Sequence, residues 1–140
     1  MKDNELIRRA GEFRSRAYAP YSGFAVGAAL LAASGRVYGG ANVENASYPV
    51  GICAERTAIA AAVTAGERAF KALAVIADSP APCAPCGMCR QMLMEFPLKR
   101  VILANTAGAV RVLTPAELLP HAFGAAALPV KEHTDENTDC

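Results

Sequence analysis

With 140 residues, 53% of them hydrophobic and 19% charged, the chain suits one globular domain and is too short for two ordinary ones. A formal net charge of +1, with no stretch where Lys and Arg cluster among aromatics, argues against nucleic acid as a partner. Residues 1–16 are charged and no segment reaches about twenty uninterrupted apolar residues, so neither leader nor membrane span is expected, and the cytoplasm is the expected compartment.

Taken in order, Asp3 or Asn4 is placed to cap a first helix on which Leu6, Ile7, Ala10, Phe13 and Ala17 recur at helical spacing. Val26 to Ala33 and Val37 to Val43 read as strands, joined through Ser34-Gly35-Arg36 as an antiparallel hairpin. Asn45 to Ile52 is turn-like. Cys53 to Thr64 is strongly helix-forming, and Gly66 stands where that helix would stop. Its small side chains fit either close packing on its own sheet or a subunit contact. Ala72 to Ala77 reads as a buried strand. A helix opening at Pro85-Cys86 runs to Glu95, with Met92, Leu93 and Phe96 as its apolar face and Pro97 as its end. Val101 to Ala104 and Val110 to Leu113 are the last strands, and Thr114-Pro115 starts a short helix over Glu117 and Leu119. The order αββαβαββα predicts an α/β fold of three layers, one mixed five-stranded sheet with helices on both faces. That domain is expected over 1–130, with the polar tail 131–140 disordered.

Five cysteines is an odd number, and Cys83, Cys86 and Cys89 sit too close together for a disulfide framework. Cys86-Gly87-Met88-Cys89 opens a helix, where unsatisfied N–H groups and the positive end of the dipole favour thiolates. Cys53 stands at the start of another predicted helix, so two helix N-termini can converge on one ion with three sulfur ligands. A fourth position left open activates water, whereas a closed one is structural. Glu55, in the first turn after Cys53, is a carboxylate placed to move protons there, or one that merely stabilises its helix end. Three thiolates on Zn²⁺ leave a net charge of about −1, which Arg56 can offset by donating to sulfur. Cys83 completes C-x-x-C-x-x-C and offers a rival: a closed four-cysteine zinc site in a binding protein, which Cys83→Ser would unfold. His121 and His133 lack ligand spacing to the cysteines and read as surface residues, and Cys140 as a free exposed thiol.

Cys53-Ala54-Glu55 followed by Pro85-Cys86-Gly87-Met88-Cys89 resembles the [HC]-x-E…P-C-x-x-C pattern of zinc nucleoside and nucleobase deaminases. The segments AYAPYSGFAVGAAL, GGANVENASYPVGICAERTA, PCGMCRQ and TPAELLPHAFG resemble, in order and spacing, the small homotetrameric cytidine deaminases of the cytidine and deoxycytidylate deaminase superfamily. The resemblance implies one zinc per subunit on Cys53, Cys86 and Cys89, with Glu55 as proton shuttle and Arg56 tempering the thiolates. It implies that Phe24 packs on the base, Ala54 offers backbone contacts to it, and Asn42 and Glu44 hold the ribose hydroxyls. Phe123 would reach the base in a neighbouring subunit's site, which implies a homotetramer with sites near subunit interfaces. The implied reaction is hydrolysis of cytidine and deoxycytidine to uridine and deoxyuridine with loss of ammonia, in pyrimidine salvage. Asn42 and Glu44, two apart on a predicted strand, project from one face. A deaminase of cytosine nucleoside antibiotics is the nearer alternative, which the intact Asn42-Val43-Glu44 disfavours.

Overall fold

The structure, a computed structural model, describes residues 1–129. The expected tail 131–140, with His133 and Cys140, lies outside the described residues. The elements are α1 (Asp3–Arg14), β1 (Val26–Ala32), β2 (Val37–Ala41), α2 (Ala54–Thr64), β3 (Phe70–Ala77), α3 (Gly87–Glu95), β4 (Arg100–Asn105), β5 (Val110–Leu113) and α4 (Pro115–Leu118). A short 3-10 turn, Tyr48–Val50, interrupts the loop before α2.

The five strands lie in the order β2-β1-β3-β4-β5. Only β3 and β4 pair in parallel, and their crossover is α3; β2, β1 and β5 join antiparallel. Every residue of β1 is buried because both faces of the sheet are covered, which explains its continuous apolar run VGAALLA. Successive side chains take opposite faces. Ala29, Leu31, Ala74, Ile76 and Ile102 meet Leu6 and Ala10 of α1, while Ala28, Leu30, Leu73, Val75 and Leu103 meet Ala58, Ile59 and Ala62 of α2 and Leu93 of α3. The expected layering is thus present.

Two glycines set the closeness of these layers. A Cβ on Gly27 would lie 2.1 Å from the Ala10 carbonyl oxygen, and one on Gly40 would lie 2.3 Å from the Ala54 carbonyl oxygen. So α1 rests on β1 and α2 on β2 backbone to backbone. Ala54, Ala58 and Ala62 of α2 therefore pack on its own sheet, while Ala60 and Ala61 face outward.

Three expectations need correction. The N-cap of α1 is Lys2, with no side-chain cap; Asp3 lies inside the first turn, where it pairs with Arg100. α1 ends at Arg14, so Ala17 lies beyond it. β2 ends at Ala41, and beyond it the Asn42 side chain bonds to Val26, the first residue of β1, and to Phe24 in the loop before it. Asn42 and Glu44 therefore flank an isolated bridge at Val43 and do not sit within a strand.

Candidate active site

The N-termini of α2 and α3 meet beyond the C-terminal ends of β2 and β3, which run in the same direction. Cys53 and Cys86 are their N-cap residues, both with extended backbone, and Cys89 lies buried in the first turn of α3. Cys53 Sγ is 3.6 Å from Cys86 Sγ, and the sulfurs of Cys53, Cys86 and Cys89 all lie within 4.8 Å of one another. Zn–S bonds of about 2.3 Å at tetrahedral angles place sulfurs about 3.8 Å apart. The three donors thus fit a zinc ion with a fourth position left over. Cys83 is not in this cluster, and the closed four-cysteine alternative lacks its fourth ligand.

Charge is distributed unevenly over the sulfurs. A hydrogen bond from the Cys89 thiol, helped by Cys86 and Arg56, outweighs burial and lowers the Cys53 thiol to about 5. The same bond to Cys53, with burial and the nearby Glu55, pushes Cys89 up. The Nε of Arg56 is buried with no hydrogen-bond partner, and its guanidinium faces Cys53 and Cys89. A donor without an oxygen partner, set beside thiolates, offsets the excess negative charge of a three-sulfur site. Glu55 is 4% exposed. Burial, more than the adjacent Cys53 charge, raises its carboxyl above the ordinary value, while the Cys89 thiol opposes the shift. A carboxyl raised this way holds and releases a proton nearer neutrality.

These groups open on a cavity of about 190 Å³ lined by Phe24, Val26, Asn42, Cys53, Ala54, Glu55, Cys83, Ala84 and Cys86. Six of the residues expected at the site, Phe24, Asn42, Cys53, Ala54, Glu55 and Cys86, share its walls. Asn42 also locks the loop that carries Phe24. Its Oδ1 accepts from the Val26 N–H at 2.8 Å and its Nδ2 donates to the Phe24 carbonyl at 2.8 Å.

Glu44 lies next door, in a second cavity of about 250 Å³ with Tyr21, Ser22, Asn45, Tyr48 and Gly51. Its Oε1 accepts the N–H groups of Tyr21 and Ser22 at 3.0 and 3.1 Å, and its Oε2 accepts from the Ser22 hydroxyl. The Ser22 hydroxyl bond chiefly holds its carboxyl below the ordinary value. Phe123 does not line either cavity and stands 62% exposed. Exposed His121 just before it turns the chain with φ +52°.

Sequence reasoning passed over Ser22, Arg90 and Gln91. Arg90 donates to the carbonyls of Pro85 and Leu118, at 2.8 and 2.9 Å, and Gln91 Nε2 donates to the Phe123 carbonyl at 2.8 Å. Together they tie the segment bearing Phe123 to the helix bearing two of the sulfurs. Their position right after Cys89 was the available signal, but a helix face does not announce which loop it will hold.

Comparison with known proteins follows the same outline. The family model described as "Cytidine and deoxycytidylate deaminase zinc-binding region" matches residues 1–105. A cytidine deaminase of Sporosarcina psychrophila is 50% identical over 125 residues, 88% of this chain and 92% of that protein. A cytidine deaminase of Mycobacterium tuberculosis (strain H37Rv) is 40% identical over 126 residues, covering 90% of this chain and 92% of its own. The crystal structure of cytidine deaminase from Burkholderia pseudomallei superposes with a TM-score of 0.86 at 50% identity, over 88% of this chain and all 100% of that one.

Proposed function

Because the chain belongs to the cytidine and deoxycytidylate deaminase family, we propose that it is a zinc-dependent hydrolase converting cytidine and deoxycytidine to uridine and deoxyuridine, with release of ammonia. The observation that carries this is the three-sulfur cluster opening on a cavity that also holds the buried Glu55.

Zinc held by Cys53, Cys86 and Cys89 supplies Lewis acidity that lets water act as a nucleophile at neutral pH. Glu55 moves the protons. It accepts one from the attacking water and gives it to N3 of the cytosine ring as the hydroxyl oxygen bonds to C4. It then delivers the hydroxyl proton to the exocyclic amine, the C4–N bond breaks, and ammonia leaves with the C4 carbonyl in place. Arg56 tempers the thiolates, Phe24 packs on the base, and the backbone of Ala54 holds its edge. Asn42 and Glu44 take the ribose hydroxyls; the anchoring of both side chains supports a preorganised clamp.

Phe123, exposed and outside its own chain's cavity, serves a neighbouring subunit in a homotetramer. A rim of exposed apolar residues near the site, among them Tyr21, Phe24, Tyr48 and Val50, supports that assembly. Among the described residues, no helix is long and apolar enough to cross a membrane. Thiols that must stay reduced to bind zinc support a cytoplasmic enzyme of pyrimidine salvage.

The test is the loss of cytidine's ultraviolet absorbance. The purified protein should convert cytidine, stop on chelation and resume on added zinc; no conversion by zinc-loaded protein refutes the proposal.

A further inference from the structure

The first cysteine of the C-x-x-C-x-x-C run has no part in the sulfur cluster, yet it belongs to the site. Cys83 lines the same cavity as Phe24, Val26, Ala54 and Glu55. Its N–H donates to the Ala104 carbonyl at 3.0 Å at the end of β4, and its side chain packs against the core beneath α2. With Pro82 before it and Ala84-Pro85 after it, this piece of chain has its φ angles fixed on both sides, which restricts how far it yields to a bulkier ligand.

The ring geometry of the substrate decides what meets that piece of chain. In cytosine, C4 lies between N3 and C5. With C4 at the sulfurs and N3 at Glu55, C5 lies on the side of C4 away from Glu55; the cavity lining outside α2 includes Cys83 and Ala84, on the segment that enters Cys86.

We propose that Cys83 is a specificity-determining residue whose side-chain bulk sets the size of substituent admitted at C5 of the cytosine ring. This rests on the deaminase reading above. A thiol is intermediate in size. Alanine at this position leaves room for a methyl group, and valine fills it with a branch close to the ring. One methyl group in a close-fitting apolar pocket is worth about tenfold or more in discrimination.

The experiment compares kcat/KM for 5-methylcytidine with kcat/KM for cytidine in the zinc-loaded parent protein, Cys83→Ala and Cys83→Val. The ratio of the two is expected to rise about tenfold in Cys83→Ala and to fall about tenfold in Cys83→Val. A purely structural role would change stability and both rates together and leave the ratio alone. The order alanine above cysteine above valine supports the inference, and any other order overturns it; if Cys83→Val does not fold, the direction in Cys83→Ala decides. A zinc-loaded parent protein inert on cytidine refutes the deaminase reading and this inference with it. A parent that deaminates cytidine, with a ratio unmoved by substitution, refutes the inference alone.

Discussion

Cys53 and Cys86 are 33 residues apart in sequence and 3.6 Å apart at their sulfurs, because each caps a helix and both helices start beyond the same end of the strands. The backbone N–H groups and positive dipole ends that favour thiolates come from two separate elements. Replacing either cysteine by serine should remove zinc and activity together, the activity by more than about 100-fold, since even an outer partner of a metal ligand is worth 10- to 100-fold. The zinc-to-protein ratio of the purified variants checks this; full zinc content in Cys53→Ser would contradict the ligand assignment.

Glu55 is buried in the first turn of α2, and Glu55→Gln separates its chemistry from its effect on stability. The amide cannot shuttle a proton, so turnover should fall by about 100- to 10,000-fold while zinc stays bound. The stability change has the opposite sign. A carboxyl whose folded value is raised above 4.5 stabilises the fold below that pH and loses the contribution as pH rises through the raised value. At neutral pH, with metal stripped from both proteins, Glu55→Gln should melt at a higher temperature than the parent. A lower melting temperature would show that the ionised carboxylate is stabilising.

Much of this was legible in the sequence, for a physical reason. Helices and strands announce themselves by period, and the ligands stand at helix starts that Pro85 and the loop before Cys53 mark. What periodicity does not carry is side chain to loop bonding. β2 ends earlier than its apolar pattern suggests, and the Asn42 amide just beyond it bonds Val26 and Phe24. The anchoring of Phe123 by Gln91 joins segments 32 residues apart, and no local rule encodes it.

Glu44 ties the loop of Tyr21 and Ser22 to the chain beyond β2, and that contact is pH-dependent. Its folded value lies below 4.5, so its stabilising contribution is present above that pH and is lost as pH falls through the lowered value. Glu44→Gln, which cannot accept the same charge-assisted bonds, should melt below the parent at neutral pH, and the gap should close on acidification below about 4.5. Melting curves of the metal-stripped proteins across that range check it. If Glu44 holds the sugar as proposed, the KM of Glu44→Gln for cytidine should rise, with a smaller change in kcat.

Subunit exchange tests the role of Phe123. Phe123→Ala should raise KM for cytidine, since an exposed aromatic held by Gln91 is lost without disturbing its own chain's sulfur cluster. Phe123→Ala and Glu55→Gln damage different parts of what is proposed to be a shared site. Mixed subunits should therefore regain activity in those sites where an intact Glu55 meets an intact Phe123. Activity of the mixture equal to the average of its two parents would place Phe123 in its own chain's site or outside catalysis.

Gly40 links the sheet to the chemistry. A methyl group there would meet the Ala54 carbonyl oxygen at 2.3 Å and the Ala58 nitrogen at 2.5 Å, so α2 must lift off β2 to admit it. The lift acts on the first turn of α2, which begins at Ala54 between Cys53 and Glu55. Gly40→Ala should cost about 1–3 kcal/mol of stability from overpacking and also weaken zinc binding. Gly11→Ala is the control, because nothing lies within 4 Å of its added carbon, and a helix interior favours alanine over glycine. It should leave zinc affinity unchanged and stability equal or higher. Chelator competition on the two variants distinguishes displacement of α2 from general destabilisation: Gly40→Ala should release zinc to the weaker chelator, and equal zinc retention in both would show that the N-terminus of α2 holds its place independently of β2.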